Sequence, residues 1–164
     1  MITGKNRDKN LVILTNRINN AFMILNEVKL IRYIKRSHQV NTTELSRIAC
    51  NYYMSYKSID KFNKSLVEDM TEKSFIEVFS KCDEFANMRI YEDEKSQLIE
   101  LAENYEIISK NSIKEDIIDD KKAIILLYTY LHGDFQFSTS SLFMDSAYIV
   151  DNSLRILRTM IEVL

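Results

Sequence analysis

Proline and tryptophan are missing from this 164-residue chain, and glycine occurs only twice, at Gly4 and Gly133. With so few residues that turn or break a backbone, the chain has little means of leaving a helix. Two isolated glycines also exclude the G-x-x-x-x-G-K-[ST] and G-x-G-x-x-G loops, whose glycines let backbone amides close on phosphates, so ATP is not held by either device. Cysteine is limited to Cys50 and Cys82. Both stand among apolar neighbours on expected helices, without C-x-x-C spacing, and read as buried thiols in a reducing compartment. His38 and His132 lack a second histidine or thiol at ligand spacing, so no metal centre is expected. The longest apolar run, Ala123–Tyr128, falls far short of the ~20 residues that a membrane span needs. The polar start MITGKNRDKN lacks the apolar stretch of a secretory signal. The chain therefore reads as soluble and intracellular, with no membrane partner. Lys plus Arg (22) nearly balance Asp plus Glu (24), a net charge of −2. That balance excludes a broadly basic nucleic-acid coat and leaves room only for local contacts.

What is present is apolar periodicity. The chain is 46% hydrophobic and 28% charged, enough for a core without staples, and the fold class is mainly α. Over residues 10–31, Leu11, Leu14, Ile18, Ala21, Phe22 and Leu25 recur at helical spacing and predict one helix with one buried stripe. The following RYIKRSHQVNTTE alternates around a polar turn at Arg36–His38, as a short two-stranded wing would. Thr43 opens a helix carrying Leu45, Ile48, Ala49, Tyr52 and Tyr56. Further helices are expected at about 58–67, 72–84 (capped by Thr71), 93–104 and 120–131, the last ended by Gly133. Residues 86–91 look extended, and ISKNSIKEDIIDDK forms a polar connection. From about Ser140 a last helix places Ala147, Val150, Leu154, Leu157, Ile161 and Leu164 on a seam expected to be buried. Tyr148, Asn152, Arg155, Thr159 and Glu162 share the opposite face. The architecture is thus a multi-helix bundle preceded by a partial winged-helix element, with residues 1–41 as helix plus wing and 42–164 as the bundle.

Catalytic chemistry is not visible in the residues. Glu92/Asp93/Glu94 and Asp119/Asp120 precede helices, where carboxylates favour the positive end of the dipole, and read as solvated helix starts. Ser138, Ser140 and Ser141 lack a nucleophile elbow. Two groups remain as binding candidates. Arg32, Lys35 and Arg36, with Lys29 nearby and Tyr33 between them, form a local basic and aromatic mixture that would grip a phosphate backbone, or else a solvated hairpin. Tyr148, Asn152 and Arg155, spaced by four and three, align a ring, an amide and a guanidinium for successive nucleotides of one strand, or else form a packed or solvated face.

Four ordered stretches carry a resemblance: TTELSRIACNYYMSYKSIDKFNKSL (42–66), FIEVFSKCDEFANMRIYEDEKSQLIEL (75–101), KAIILLYTYL (122–131) and FMDSAYIVDNSLRILRTMIEVL (143–164). Together they resemble the Sec-sixty-three homology unit of Ski-two-like superfamily-two helicases. Within that family they are similar to the large two-cassette RNA helicases of the spliceosome and of the activating signal cointegrator complex. The resemblance implies that 42–164 is the helical bundle that packs on a helicase motor, and that 145–164 is its ratchet helix. By position, Tyr148, Asn152 and Arg155 then face a single strand of RNA or DNA. It implies as partners the motor domains and splicing or ribonucleoprotein proteins, a nuclear location with a cytoplasmic alternative, and no cofactor or catalysis in this chain alone. Family members usually carry Gly at Ser46, Gln at Tyr128 and Arg at Tyr91, with Arg89 two residues earlier on the same side of an extended segment. The motor domains are not among the matched stretches, so the chain reads as a fragment, a split product or a degenerate copy. A protein-interaction module without RNA binding and a translocon-associated homologue are the other expectations.

Overall fold

The computed structural model describes residues 4–107, 121–134 and 136–164. Helix α1 (Gly4–Glu27) ends at Lys29, whose left-handed backbone (φ 61) lets the Leu30 amide donate to the Leu25 carbonyl at 2.9 Å. The chain then forms the hairpin β1 (Ile31–Ile34) and β2 (Gln39–Thr42), antiparallel, with Ile31 opposite Thr42 and Ile34 opposite Gln39. Thr43 joins hairpin to bundle. Its hydroxyl donates to the carbonyls of Lys29 and Leu30 at 2.7 and 2.8 Å and accepts the Ser46 amide, which caps α2 (Glu44–Asn51).

The bundle continues with α3 (Tyr56–Ser65), α4 (Glu72–Ser80), a 3-10 turn at Asp83–Phe85, α5 (Lys95–Asn104), α6 (Lys122–His132) and α7 (Ser140–Val163). Among the described residues the fold is therefore mainly α, seven helices with one two-stranded sheet. Helix α6 is the pillar. Lys122 to Leu127 and Thr129 are all buried, as expected of a helix apolar on every side, and α4, α5 and α7 pack around it. Gly133 ends it in the left-handed conformation (φ 73). Fully buried Ile59, Phe62, Phe79, Leu98, Ile125, Leu126, Leu142, Ile149, Ile156 and Met160 join five helices into one core.

The helix expected to run from Thr43 to Tyr56 stops at Asn51 and Tyr56 opens α3, but threonine caps hold two later starts. Thr71 accepts the Ser74 amide at 3.3 Å and Thr139 does the same for Leu142 at 3.3 Å. Thr71→Ala removes such a cap and is expected to cost about 1 kcal/mol. In a chain of this size that lowers the thermal midpoint by about 2–4 °C in a circular-dichroism melt.

Several expectations are corrected. The α1 stripe is not buried. Leu11, Leu14 and Ile18 are 63%, 55% and 52% exposed, and only Phe22 and Leu25 are half-buried. The main contact of α1 is with β1, where the Phe22 ring lies 5.1 Å from that of Tyr33, and Leu25 near its end packs on the core. Cys82 is buried, and desolvation pushes its thiol pKa up, but Cys50 is exposed. The helix expected over 72–84 stops at Ser80, and residues 88–91 carry no regular structure. Asp119/Asp120 and most of the polar connection at 108–121 lie outside the described residues.

Candidate nucleic-acid interface

Helix α7 carries three parallel rows one residue apart. The buried row is Leu142, Ser146, Ile149, Ile156, Met160 and the half-buried Val163. One residue later, about 100° around the helix, runs the seam expected to be buried. It is largely exposed: Leu154 is 58% and Ile161 66% accessible, while Val150 and Leu157 are half-buried. One residue earlier, on the other flank, runs the polar row of Tyr148, Asn152, Arg155 and Thr159. The burial axis thus sits between the two faces that the sequence pairs as inside and outside. Thr159 enters the core with its hydroxyl donating to the Arg155 carbonyl at 2.8 Å, so its polarity is no obstacle to burial.

Tyr148, Asn152 and Arg155 form one hydrogen-bonded unit. The Tyr148 ring packs edge-on against Phe85 (6.4 Å) and its hydroxyl donates to the Glu84 carbonyl at 3.3 Å. Asn152 Nδ2 donates to the Tyr148 carbonyl at 2.7 Å. Its Oδ1 accepts Arg155 Nε and Nη2 at 3.0 and 2.6 Å. Arg155 Nη1 reaches across to the carbonyls of Tyr52 and Tyr53 at 3.1 and 2.9 Å, in the turn after α2. Two helical turns on, Glu162 accepts the Tyr52 hydroxyl at 2.6 Å, which raises the Tyr52 pKa. The polar row therefore staples α7 to α2 while keeping Tyr148 44% exposed.

The start of α7 is held by a second device that the sequence pattern hides. Glu94, expected to be solvated, is fully buried, and its partner Lys122 is 2% exposed. Lys122 Nζ donates to Glu94 Oε2 (2.7 Å) and the Arg89 carbonyl (2.7 Å) and forms an ion pair with Asp145 Oδ2 (2.6 Å). Glu94 also accepts the Ser141 hydroxyl and the Tyr91 amide. Burial pushes the Glu94 carboxyl up, but Lys122, Ser141 and Tyr91 outweigh it and hold the pKa below its ordinary value. The only signal for this in the sequence is a lysine at the mouth of an otherwise apolar helix.

Above this cluster, Asn87, Arg89, Tyr91, Ser141, Met144, Asp145 and Tyr148 line an open groove of about 380 Å³. The Tyr91 ring lies over Lys122 Nζ at 5.9 Å. Arg89 and Tyr91 both border the groove, as does Met88. The wing cations stand apart. Arg32, Lys35 and Arg36 are exposed, with no ion pair among the described residues, and no hydrogen bond joins them to the α7 row. Tyr33, expected among them as an aromatic contact, is instead committed to α1 through Phe22 and a 3.1 Å hydrogen bond to Asn19. Among the described residues there is no His, Cys, Asp and Glu grouping that could hold a metal ion, and no helix long and apolar enough to cross a membrane.

Residues 42–164 match the Sec63 Brl domain family. The chain belongs to the Sec63 Brl family. The match begins at the end of β2 and takes in every helix from α2 to α7. The Caenorhabditis elegans U5 small nuclear ribonucleoprotein 200 kDa helicase is 30% identical over 146 residues, 89% of this chain and 7% of the relative. Activating signal cointegrator 1 complex subunit 3 of Dictyostelium discoideum is 32% identical over 142 residues, 85% of this chain and 6% of the relative. The human U5 200 kDa helicase is 29% identical over 146 residues, again 7% of its length. The chain therefore spans a small part of the helicases it matches. In this Sec63 Brl domain Ser46 fits as the residue whose amide Thr43 caps, and Tyr128 is half-buried in a ring stack with Tyr105 and His132.

Proposed function

We propose that residues 42–164 serve as the non-catalytic helical domain of an RNA helicase of the pre-mRNA splicing type, guiding a single strand of RNA or DNA along the polar row of α7. Residues 1–41 form the rear of a winged helix in this reading, and its wing adds phosphate contacts through Arg32, Lys35 and Arg36. The observation that carries it is the Tyr148–Asn152–Arg155 unit, a ring, an amide and a guanidinium preorganised along one helix of a family whose relatives are named as helicases. The exposed apolar seam of α7 supports docking of motor domains and of splicing or ribonucleoprotein proteins, and such partners would place the protein in the nucleus. ATP hydrolysis belongs to those motor domains.

A salt titration of single-stranded RNA binding tests the reading. Log affinity is expected to fall linearly with log salt, and Arg32, Lys35 and Arg36 each contribute about 0.7 to the slope. Replacing all three by alanine is expected to flatten the slope by about 2. A second reading, a protein-interaction module without RNA binding, is favoured by one observation: protein acceptors already occupy Arg155 Nε, Nη1 and Nη2. Absence of salt-dependent RNA binding together with retained capture of a splicing protein would establish it.

A further inference from the structure

Tyr53 is 87% exposed, the most accessible large apolar side chain among the described residues, and its backbone is left-handed (φ 51). Neither property helps the fold. The position is the residue after the α2 C-cap, where the Tyr53 amide returns to the Cys50 carbonyl and the Met54 amide to that of Ala49 at 2.9 Å. Helices α1 and α5 end the same way, at Lys29 (φ 61) and Glu106 (φ 54), but there the side chain is a charged one at home in water. A bare aromatic ring in water adds nothing to the core. Among these left-handed positions only Tyr53 spends the site on an exposed aromatic ring, which marks a side chain kept for something other than stability.

Its place in the structure gives that use a direction. The Tyr53 carbonyl accepts Arg155 Nη1 at 2.9 Å, and Arg155 also holds the Tyr52 carbonyl at 3.1 Å. The guanidinium that ends the polar unit of α7 therefore fixes the turn that presents Tyr53. Two turns of α7 away, Tyr148 is held just as firmly by Phe85 and the Glu84 carbonyl. The molecule thus displays two tyrosines on fixed supports, with an amide and a guanidinium between them. Base stacking on aromatic rings needs this kind of rigid, solvent-facing platform and tolerates any sequence.

We propose that Tyr53 is a second base-stacking platform for single-stranded nucleic acid, continuing the track of Tyr148, Asn152 and Arg155 onto the α2–α3 turn. This rests on the strand-guiding reading above. It adds a residue on a different element, and it gives Arg155 a positioning part, holding the platform in place.

The test exploits opposite signs. Tyr53→Gly relieves the left-handed strain, so the thermal midpoint is expected to stay equal or rise. Affinity for a fluorescein-labelled single-stranded oligouridylate, read by anisotropy on the full chain, is expected to drop about 5- to 100-fold, the loss of one stacked base. Tyr53→Phe keeps the ring and is expected to bind like the parent. If Tyr53→Gly binds normally while Tyr148→Ala is weakened, the platform is overturned and the strand-guiding reading stands. If the parent chain shows no salt-dependent binding, both fall. A Tyr53→Gly variant that melts well below the parent also overturns the proposal, because it would make the ring structural.

Discussion

Lys122→Met is expected to lower the stability of the chain by about 3–5 kcal/mol, the cost of leaving a buried charge without its partner. Methionine matches the length of the lysine stem but removes the donors to Glu94 and the Arg89 carbonyl and the charge facing Asp145, and Glu94 has no solvent to turn to. In a thermal melt followed by circular dichroism this corresponds to a fall of about 6–20 °C. Glu94→Gln combined with Lys122→Met removes both charges and is expected to recover most of the loss, since paired buried ions are often no better than a neutral replacement of similar shape. The pH dependence carries the same sign information. The folded-state pKa of Glu94 lies below its ordinary value of 4.5. Its contribution is therefore present above that pH and is lost as pH falls through the depressed value. Below about pH 4.5 the gap between parent and Lys122→Met is expected to narrow, because a neutral Glu94 no longer needs a counter-ion. A gap that stayed constant to low pH would remove the ion pair as the cause.

Arg155→Ala is expected to cost about 1.5–3 kcal/mol, the range for hydrogen bonds made by a charged donor. It detaches α7 from the carbonyls of Tyr52 and Tyr53 and leaves Asn152 Oδ1 without the guanidinium. RNA affinity is expected to fall with it. Arg155→Lys separates the two effects, because it keeps the charge and loses the planar fork that reaches Asn152 and the turn together. Stability is expected to drop while the salt dependence of RNA binding stays at the parent value. A variant at this position with unchanged melting and unchanged RNA crosslinking would exclude the α7 row from strand contact.

The candidate site was legible in part. Tyr148, Asn152 and Arg155 lie along one face of α7, as their spacing of four and three predicts, and the hydrogen bonds among them were not foreseen. What spacing could not show is that Arg155 spends donors on another helix, since the carbonyls of Tyr52 and Tyr53 lie about a hundred residues earlier in the chain. Tyr33 is the converse case. Its local company of Lys35 and Arg36 pointed to phosphate, but pairing with α1 turned its ring inward onto Phe22. The buried pair of Glu94 and Lys122 was misread because a carboxylate before a helix normally meets water, and local sequence holds no record of what folds over it.

By itself the sequence determined the class and most of the segmentation: helices wherever apolar residues recur at helical spacing, starts at Thr43, Thr71 and about Ser140, a stop at Gly133 and a hairpin at the polar turn. These are local properties of backbone and cap, settled within a few residues. Only the tertiary structure decided which way each helix turned. On α7 the apolar residues cover two adjacent rows, each with a seven-residue repeat, and periodicity cannot rank them. Burial fell on the row with Ser146 beside Leu142, Ile149, Ile156 and Met160, which joins the α6 residues in the core. The richer row of Leu154 and Ile161 was left facing outward. A rotation of about 100° separates the two outcomes, and only the neighbours that a helix meets after folding can choose between them.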